Sequence, residues 1–439
     1  MLLVAAFSAL AWQQGLPAVP LGVALAALSL WPERRRVLVA AATAYWLLAF
    51  HCVPATLAWA ALLIASSAMW FALALFQQKP DLWLFERPVR NLLVLYIALL
   101  AAASYLPLAP LVRFSFWAVL LVAGKYLWFM GYALCDRKGV HRQSPLLAFL
   151  RFQPFWGDSN VPYPKGEANM DRIEAKNAEE LAVCQLRGIE LMVWSTLLVA
   201  ALALFDQMRQ GPWPYAAWLG RIHFPNHISK LNPAIELYLK GTPLPRLDCW
   251  LAVIANFSRD LLWVSGWGGT IIATCRMAGY NAVRNTRKPL TARTIAEFYN
   301  RLYYYFKELL VAFFFYPTYF RYFKKHPRLR VFAATLAAAG FGNAIYHFLR
   351  DIQFIIDKGL WRALVGFQVY LAYSLILGIG IGVSQLRGQD GRARGGRFTG
   401  PLCVLTFYCL LMVLDDPHRG WTVRDYFSFL INLFAPFPR

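Results

Sequence analysis

The sequence predicts an all-α, polytopic membrane helical bundle, and three observations predict it. Of the 439 residues, 59% are hydrophobic and only 15% are charged. An ordinary soluble domain carries about 25% charged residues, and here the mean hydropathy is +0.44. Apolar runs close to the length of about 20 residues that crosses a bilayer recur along the chain. The Lys and Arg residues cluster between these runs.

Taken in order, the predicted spans lie near 17–32, 37–52, 54–76, 91–110 and 112–134. The others lie near 188–206, 250–275, 302–320, 331–349, 360–386 and 398–414. The expected count is about 10–11 transmembrane helices. The opening "MLLVAAFSALAWQQG" has no basic leading region and no clear cleavage site, so it reads as part of a first membrane hairpin. The last apolar piece, "YFSFLINLFAPF", is short for a span. Three regions follow: N-terminal transmembrane helices over 1–134, a cytoplasmic polar segment over 135–187, and a transmembrane core over 188–439. The polar segment is rich in Pro, Gly and aromatics at its front. Its back has helical character, with Glu174, Glu179 and Glu180 near the start. A second polar region, near 207–247, is too rich in proline for a compact soluble domain.

Charge gives the orientation. Arg34, Arg35 and Arg36 follow the first clear helix, Lys79, Arg87 and Arg90 the third, and Arg137, Lys138, Arg142 and Arg151 the fifth. The intervening "HCVP" and "PLAP" carry no Lys or Arg. One alternation fits all five of these helices with their basic loops in the cytoplasm, and the run at 387–397 likewise reads as a short cytoplasmic loop. The formal net charge of +21 is accounted for by this topology, with anionic lipid as a further partner and no nucleic acid. The seven cysteines are scattered without metal-ligand spacing and read as reduced packing residues, so no metal is expected.

Ionisable residues inside apolar runs cost at least about 2.5–3.5 kcal/mol at the bilayer centre, and so need a reason to be there. Arg259 and Asp260 are adjacent in "NFSRDLLWVSGWGG" and point about 100° apart on a helix, so each is expected to find another partner. Lys125 and Arg276 lie near span ends and read as anchors. Glu308, in "YYYFKELLVAFFF", is expected to be buried and paired with a base or a tyrosine hydroxyl. His347 stands in "AAAGFGNAIYHFLRD" with Asn343 at i−4 and Asp351 at i+4, so the three share one helix face. The small residues before them permit close approach by a neighbouring helix or a substrate. An imidazole held there can act as a general base or serve as a hydrogen-bonded packing residue.

Several motifs occur in a fixed order around this histidine. Gly279-Tyr280, Asn285 and Pro289 open a basic connection. Phe298-Tyr299-Asn300-Arg301 form an aromatic–basic segment. Tyr316-Pro317 and a basic loop at 324–330 come next, followed by Gly342-Asn343-Ala344-Ile345-Tyr346-His347. Together they resemble the membrane-bound O-acyltransferase (MBOAT) family, in particular its bacterial cell-surface polymer acyltransferases. The resemblance covers roughly 80 residues, up to about Phe354. This chain departs from the family in having Leu302-Tyr303-Tyr304 at the second polar position, Tyr346 before the histidine and Phe348 after it.

The resemblance implies an MBOAT-like fold and transfer of an acyl group, acetyl foremost, from a cytoplasmic thioester to a hydroxyl. The donor is acetyl-CoA or another acyl-CoA or acyl-carrier thioester, with no tightly bound cofactor. The acceptor is a cell-surface polysaccharide, a related glycan or another hydroxyl, reaching the centre from the other side. His347 is the implied base, and Asn343, Asn300 and Tyr303 are the implied donors to the oxyanion. Arg301, Lys324, Lys325 and Arg328 would hold the donor's phosphates. A partner protein for acyl relay and a bacterial inner (cytoplasmic) membrane location belong to the same expectation. The rival classes are a non-catalytic transporter or assembly protein with an acyltransferase-like body, and an acyltransferase acting on lipid or protein. Under the enzyme reading, His347 points into a cavity reached from the cytoplasmic side and lies against 298–305.

Overall fold

The computed structural model describes residues 1–50, 67–68, 70–136, 165–208, 229–389, 398–415 and 420–435. Among them the secondary structure is helical, with no strand; one isolated antiparallel bridge joins Glu174 to Tyr280. Most of the predicted span 54–76, the front of the 135–187 segment, residues 209–228 and the loop core 390–397 lie outside the described residues. The basic residues Arg137, Lys138, Arg142 and Arg151 lie outside them too, as does the side chain of Lys125.

Two short helices, α1 (Leu2–Gln13) and α2 (Ala18–Leu30), form the expected opening hairpin. Next come α3 (Arg35–Phe50), α4 (Pro88–Tyr105) and α5 (Pro110–Cys135). A proline starts both α4 and α5, where its missing N–H costs no helical hydrogen bond. After α6 (Glu167–Ile173) the chain enters α7 (Ala178–Met208), then α8 (Leu231–Leu239) and α9 (Arg246–Met277). A short amphipathic helix, α10 (Ile295–Leu302), is capped by Thr294, which accepts from Glu297 N–H at 3.1 Å. A helix α11 runs from Tyr304–Leu310 through a π-helical turn, Val311–Phe315, to Tyr316–Arg321. Helix α12 (Pro327–Arg350) is interrupted likewise by a π segment, Leu336–Gly342. The chain ends with α13 (Ile352–Lys358), α14 (Leu360–Gln389), α15 (Thr399–Leu411) and α16 (Val423–Phe434). A capping box between Thr422 and Asp425 starts α16.

Four described helices are long and apolar enough to cross a membrane: Pro88–Tyr105, Ala178–Gln207, Pro327–Arg350 and Leu360–Gly388. Their outward faces carry exposed large apolar side chains, such as Val94 and Ile97 on α4, Trp194 and Leu197 on α7, and Leu364 and Leu371 on α14. Such belts are unfavourable in water and suit lipid. The chain is therefore a helical membrane protein. Helix α7 begins at Ala178, so the back of the polar segment and the start of the core form one continuous helix.

The frame is the antiparallel pair α7 and α9, of 31 and 32 residues. A rise of about 1.5 Å per residue makes each longer than the roughly 30 Å hydrocarbon layer. Small residues let them approach. A Cβ on Gly269 would lie 2.2 Å from Ser195 Oγ, and one on Gly188 would lie 3.1 Å from the Ala273 carbonyl. Buried Gln14, just after α1, donates to Thr196 Oγ1 (2.9 Å) and accepts from Thr270 Oγ1 (2.7 Å), tying the end of α1 to both. At the other end of the pair Arg259 reaches Asp206 (2.9 Å) and also Asp260 (3.4 Å). Arg259 therefore pairs with its neighbour as well as across helices, because the long guanidinium spans their angular separation. Arg276 is not a snorkelling anchor. It is buried, donating to the carbonyls of Ala282 (2.9 Å) and Arg187 (3.3 Å), and so fixes the turn after α9.

Glu308 is half-buried and paired with both Lys165 and Lys307, and both ammonium groups lie over the Tyr304 ring. Glu308→Gln removes the charge the two lysines share. Its cost falls between that of an exposed and a buried pair, about 1–2 kcal/mol. A lowered thermal midpoint of the detergent-solubilised protein checks this.

Candidate active site

The two π segments lie against each other and set the geometry of the site. A π turn adds one residue to a helical turn, so the helix beyond it presents a different face. In α12 the turn ends at Gly342, and Asn343–Arg350 resumes as α-helix. Gly342 faces the Phe314 ring so closely that a Cβ would lie 2.7 Å away. Gly378 of α14 meets the α12 backbone, where a Cβ would lie 2.9 Å from the Gly340 nitrogen. The small face predicted before His347 is therefore a helix-crossing point.

Beyond the crossing, Asn343, His347 and Arg350 line a cavity of about 310 Å³. Their i, i+4 and i+7 spacing puts them on one face. Helix α9 contributes Asp260, Trp263 and Trp267, and Tyr299 of α10 and Tyr303 just after it form another wall. Tyr370 and Tyr373 of α14 and Asp415, after α15, complete it. The His347 ring is held by other rings. Tyr370 lies 4.4 Å from it, centroid to centroid, at 36°, and Phe306 lies 5.8 Å away nearly edge-on. The Tyr370 hydroxyl donates to Asn343 Oδ1 at 3.4 Å. With its oxygen so engaged, the Asn343 amide has its NH₂ left to donate. Tyr299 is 5% exposed, and its hydroxyl is buried without a hydrogen-bond partner. Asp351, just past the end of α12, does not line the cavity with Asn343 and His347 and pairs with Arg350 at 3.1 Å.

The structure thus brings together three residues predicted from sequence, His347, Asn343 and Tyr303. It does not bring Asn300 to them. Tyr299 and Tyr303 face the cavity four residues apart, and Asn300, one position on, is turned outward and exposed. Arg301 is outside the cavity as well, held by Glu297 (2.5 Å) and the Lys288 carbonyl (3.2 Å). Lys324, Lys325 and Arg328 are exposed near the loop between α11 and α12 and do not line the cavity.

Asp415 is exposed, whereas Tyr370 and Tyr373 are buried, so the cavity runs from a mouth at Asp415 to a tyrosine floor. Asp415 stands at the far end of the helical segment Thr399–Leu414, which follows the basic run 387–397. His347 and Arg350 stand at the far end of α12, which follows the basic segment 321–330. If basic loops are cytoplasmic, this mouth opens on the opposite side.

Sequence reasoning passed over Arg350, Tyr370, Tyr373, Trp263 and Trp267, and read Asp260 only as a structural ion-pair member. The spacing Asp260, Trp263, Val264, Trp267 is a helical stripe of i, i+3, i+4, i+7 and was a signal in plain view. Asp415 left no pattern to follow. Comparison with protein-family models and with curated protein sequences finds no match to this chain.

Proposed function

We propose that the protein is a membrane O-acyltransferase that moves an acyl group, acetyl foremost, from a thioester such as acetyl-CoA to a hydroxyl of a glycan. The observation that carries this reading is the convergence of His347, the Asn343 amide and the tyrosines of α10 and α14 on one cavity within the bundle.

The chemistry follows from the groups. A hydroxyl is a poor nucleophile at neutral pH. The His347 imidazole accepts its proton as the oxygen attacks the thioester carbonyl, a contribution worth typically 10²–10⁴-fold. The carbonyl oxygen becomes an oxyanion, for which the Asn343 NH₂ and a tyrosine hydroxyl are the donors. When the intermediate collapses, the C–S bond breaks and the thiolate takes the proton back from the imidazolium. Ester and free thiol are the products. The basic residues Lys324, Lys325 and Arg328 stand at the other end of α12, where the phosphates of a cytoplasmic donor would meet them. A bacterial inner membrane, with the glycan outside, fits this polarity.

Purified protein supplied with acetyl-CoA and glycan oligomers is expected to release thiol and acylated glycan in equal amounts, read by a thiol reagent and mass spectrometry. Thiol release without any acylated hydroxyl compound, or no release with any thioester, rejects the reading. Asn343→Ala should lower the transfer rate by about 10²–10³, the usual cost of one oxyanion donor, with little change in donor KM.

A further inference from the structure

The mouth and one wall of the cavity are unlike its His347 side. On α9, Asp260, Trp263 and Trp267 make a stripe of one carboxylate and two indoles facing the cavity. Asp260 is oriented from its own helix by Asn256 Nδ2 and Arg259 Nη1, both at 3.4 Å. Asp415 adds a second carboxylate at the mouth, and the buried Tyr299 hydroxyl, unpartnered, belongs to the same lining. The cation on this lining, Arg350, is paired with Asp351.

This combination has a definite ligand chemistry. Indole faces pack against the C–H face of a sugar ring through apolar area. Carboxylates accept hydrogen bonds from hydroxyls and repel other anions. A tyrosine hydroxyl without a partner gains one when a polar ligand arrives, which removes the cost of leaving it unmade. A lipid tail would leave the Tyr299 hydroxyl unserved, and a phosphate or uronate would meet the carboxylates of Asp260 and Asp415.

We infer that Asp260, Trp263, Trp267 and Asp415 form a sugar subsite that selects an uncharged pyranose ring over an anionic one. The inference rests on the acyl-transfer reading for its place in a reaction but not for its binding test. An uncharged ring enters past Asp415, lies along the α9 stripe and presents one hydroxyl towards His347. The subsite is then the specificity element of the acceptor side. An acceptor built of uronate or phosphodiester units is excluded by charge.

Calorimetry on the full-length protein tests this, in an amine-oxide detergent so that no glycoside head group competes. The probes are a neutral tetrasaccharide, cellotetraose, and an anionic one, tetragalacturonate. Cellotetraose is expected to bind at least about tenfold more tightly than tetragalacturonate, a difference of about 1.4 kcal/mol. Trp267→Ala should weaken cellotetraose binding about tenfold, and Asp415→Asn should narrow the gap between the two probes. Because Asp415 is exposed, its variant addresses charge selection without disturbing the core. Equal or tighter binding of tetragalacturonate, or no cellotetraose binding by protein that transfers acyl groups to another hydroxyl, overturns the subsite and leaves the enzyme reading standing. Selective cellotetraose binding by protein that transfers no acyl group supports the subsite and rejects the enzyme reading.

Discussion

His347→Ala is expected to lower acyl transfer by about 10²–10⁴-fold, the contribution of a positioned general base, while the folded protein remains in the membrane. The imidazole packs against Tyr370 and Phe306 and borders the cavity, so its removal enlarges a space already open. The structural cost is accordingly small. A packing histidine would behave in the opposite way, with the thermal midpoint falling and the rate per folded molecule unchanged. His347→Gln separates the cases further, because it restores bulk and hydrogen bonding without a base near neutral pH. It should fold normally and transfer no faster than the alanine variant.

Gly378→Leu carries the largest expected effect on stability. The new Cβ would lie 2.9 Å from the Gly340 nitrogen and 3.1 Å from its Cα. Both are backbone atoms, so no side chain can rotate away, and α12 and α14 must move apart. Overpacking of this kind costs about 3 kcal/mol. The same seam holds the cavity together, because Asn343 and His347 come from α12 and Tyr370 and Tyr373 from α14. The variant should therefore lose both thermal stability and transfer, together. Its neighbour Ile379 is 47% exposed on the outer face, and Ile379→Ala should change neither. An unaltered midpoint in Gly378→Leu would show that the helices do not cross there.

Much of the fold was legible because lipid imposes a simple rule: backbone groups must be satisfied within each apolar run. The helices at 360–389 and 327–350 stand where apolar runs of spanning length stand. What composition hides is interruption. The π turns at Val311–Phe315 and Leu336–Gly342 leave no mark in a hydropathy profile, yet the second decides which face His347 shares with its neighbours. At the site, His347 and Asn343 were readable because a polar pair among Gly and Ala stands out. Asn300 misled because adjacency to Tyr299 in sequence places it about 100° away on a helix. Tyr370 and Tyr373 stand in an apolar run without a polar pattern, and only tertiary packing brings them to the cavity. Asp415 lies on a different element from every other cavity carboxylate, so no spacing could connect it to Asp260.

Acyl transfer at His347 requires donor and acceptor to meet in this cavity. The direct measurement is a structure of the protein bound to a hydrolysis-resistant thioether analogue of acetyl-CoA together with an acceptor oligosaccharide. The acceptor hydroxyl is expected within about 2.6–3.2 Å of an imidazole nitrogen of His347, with the acyl carbon beside it and the analogue's phosphates towards Lys324 and Arg328. An analogue bound away from His347, or a cavity that stays vacant at saturating concentrations of both ligands, would contradict it.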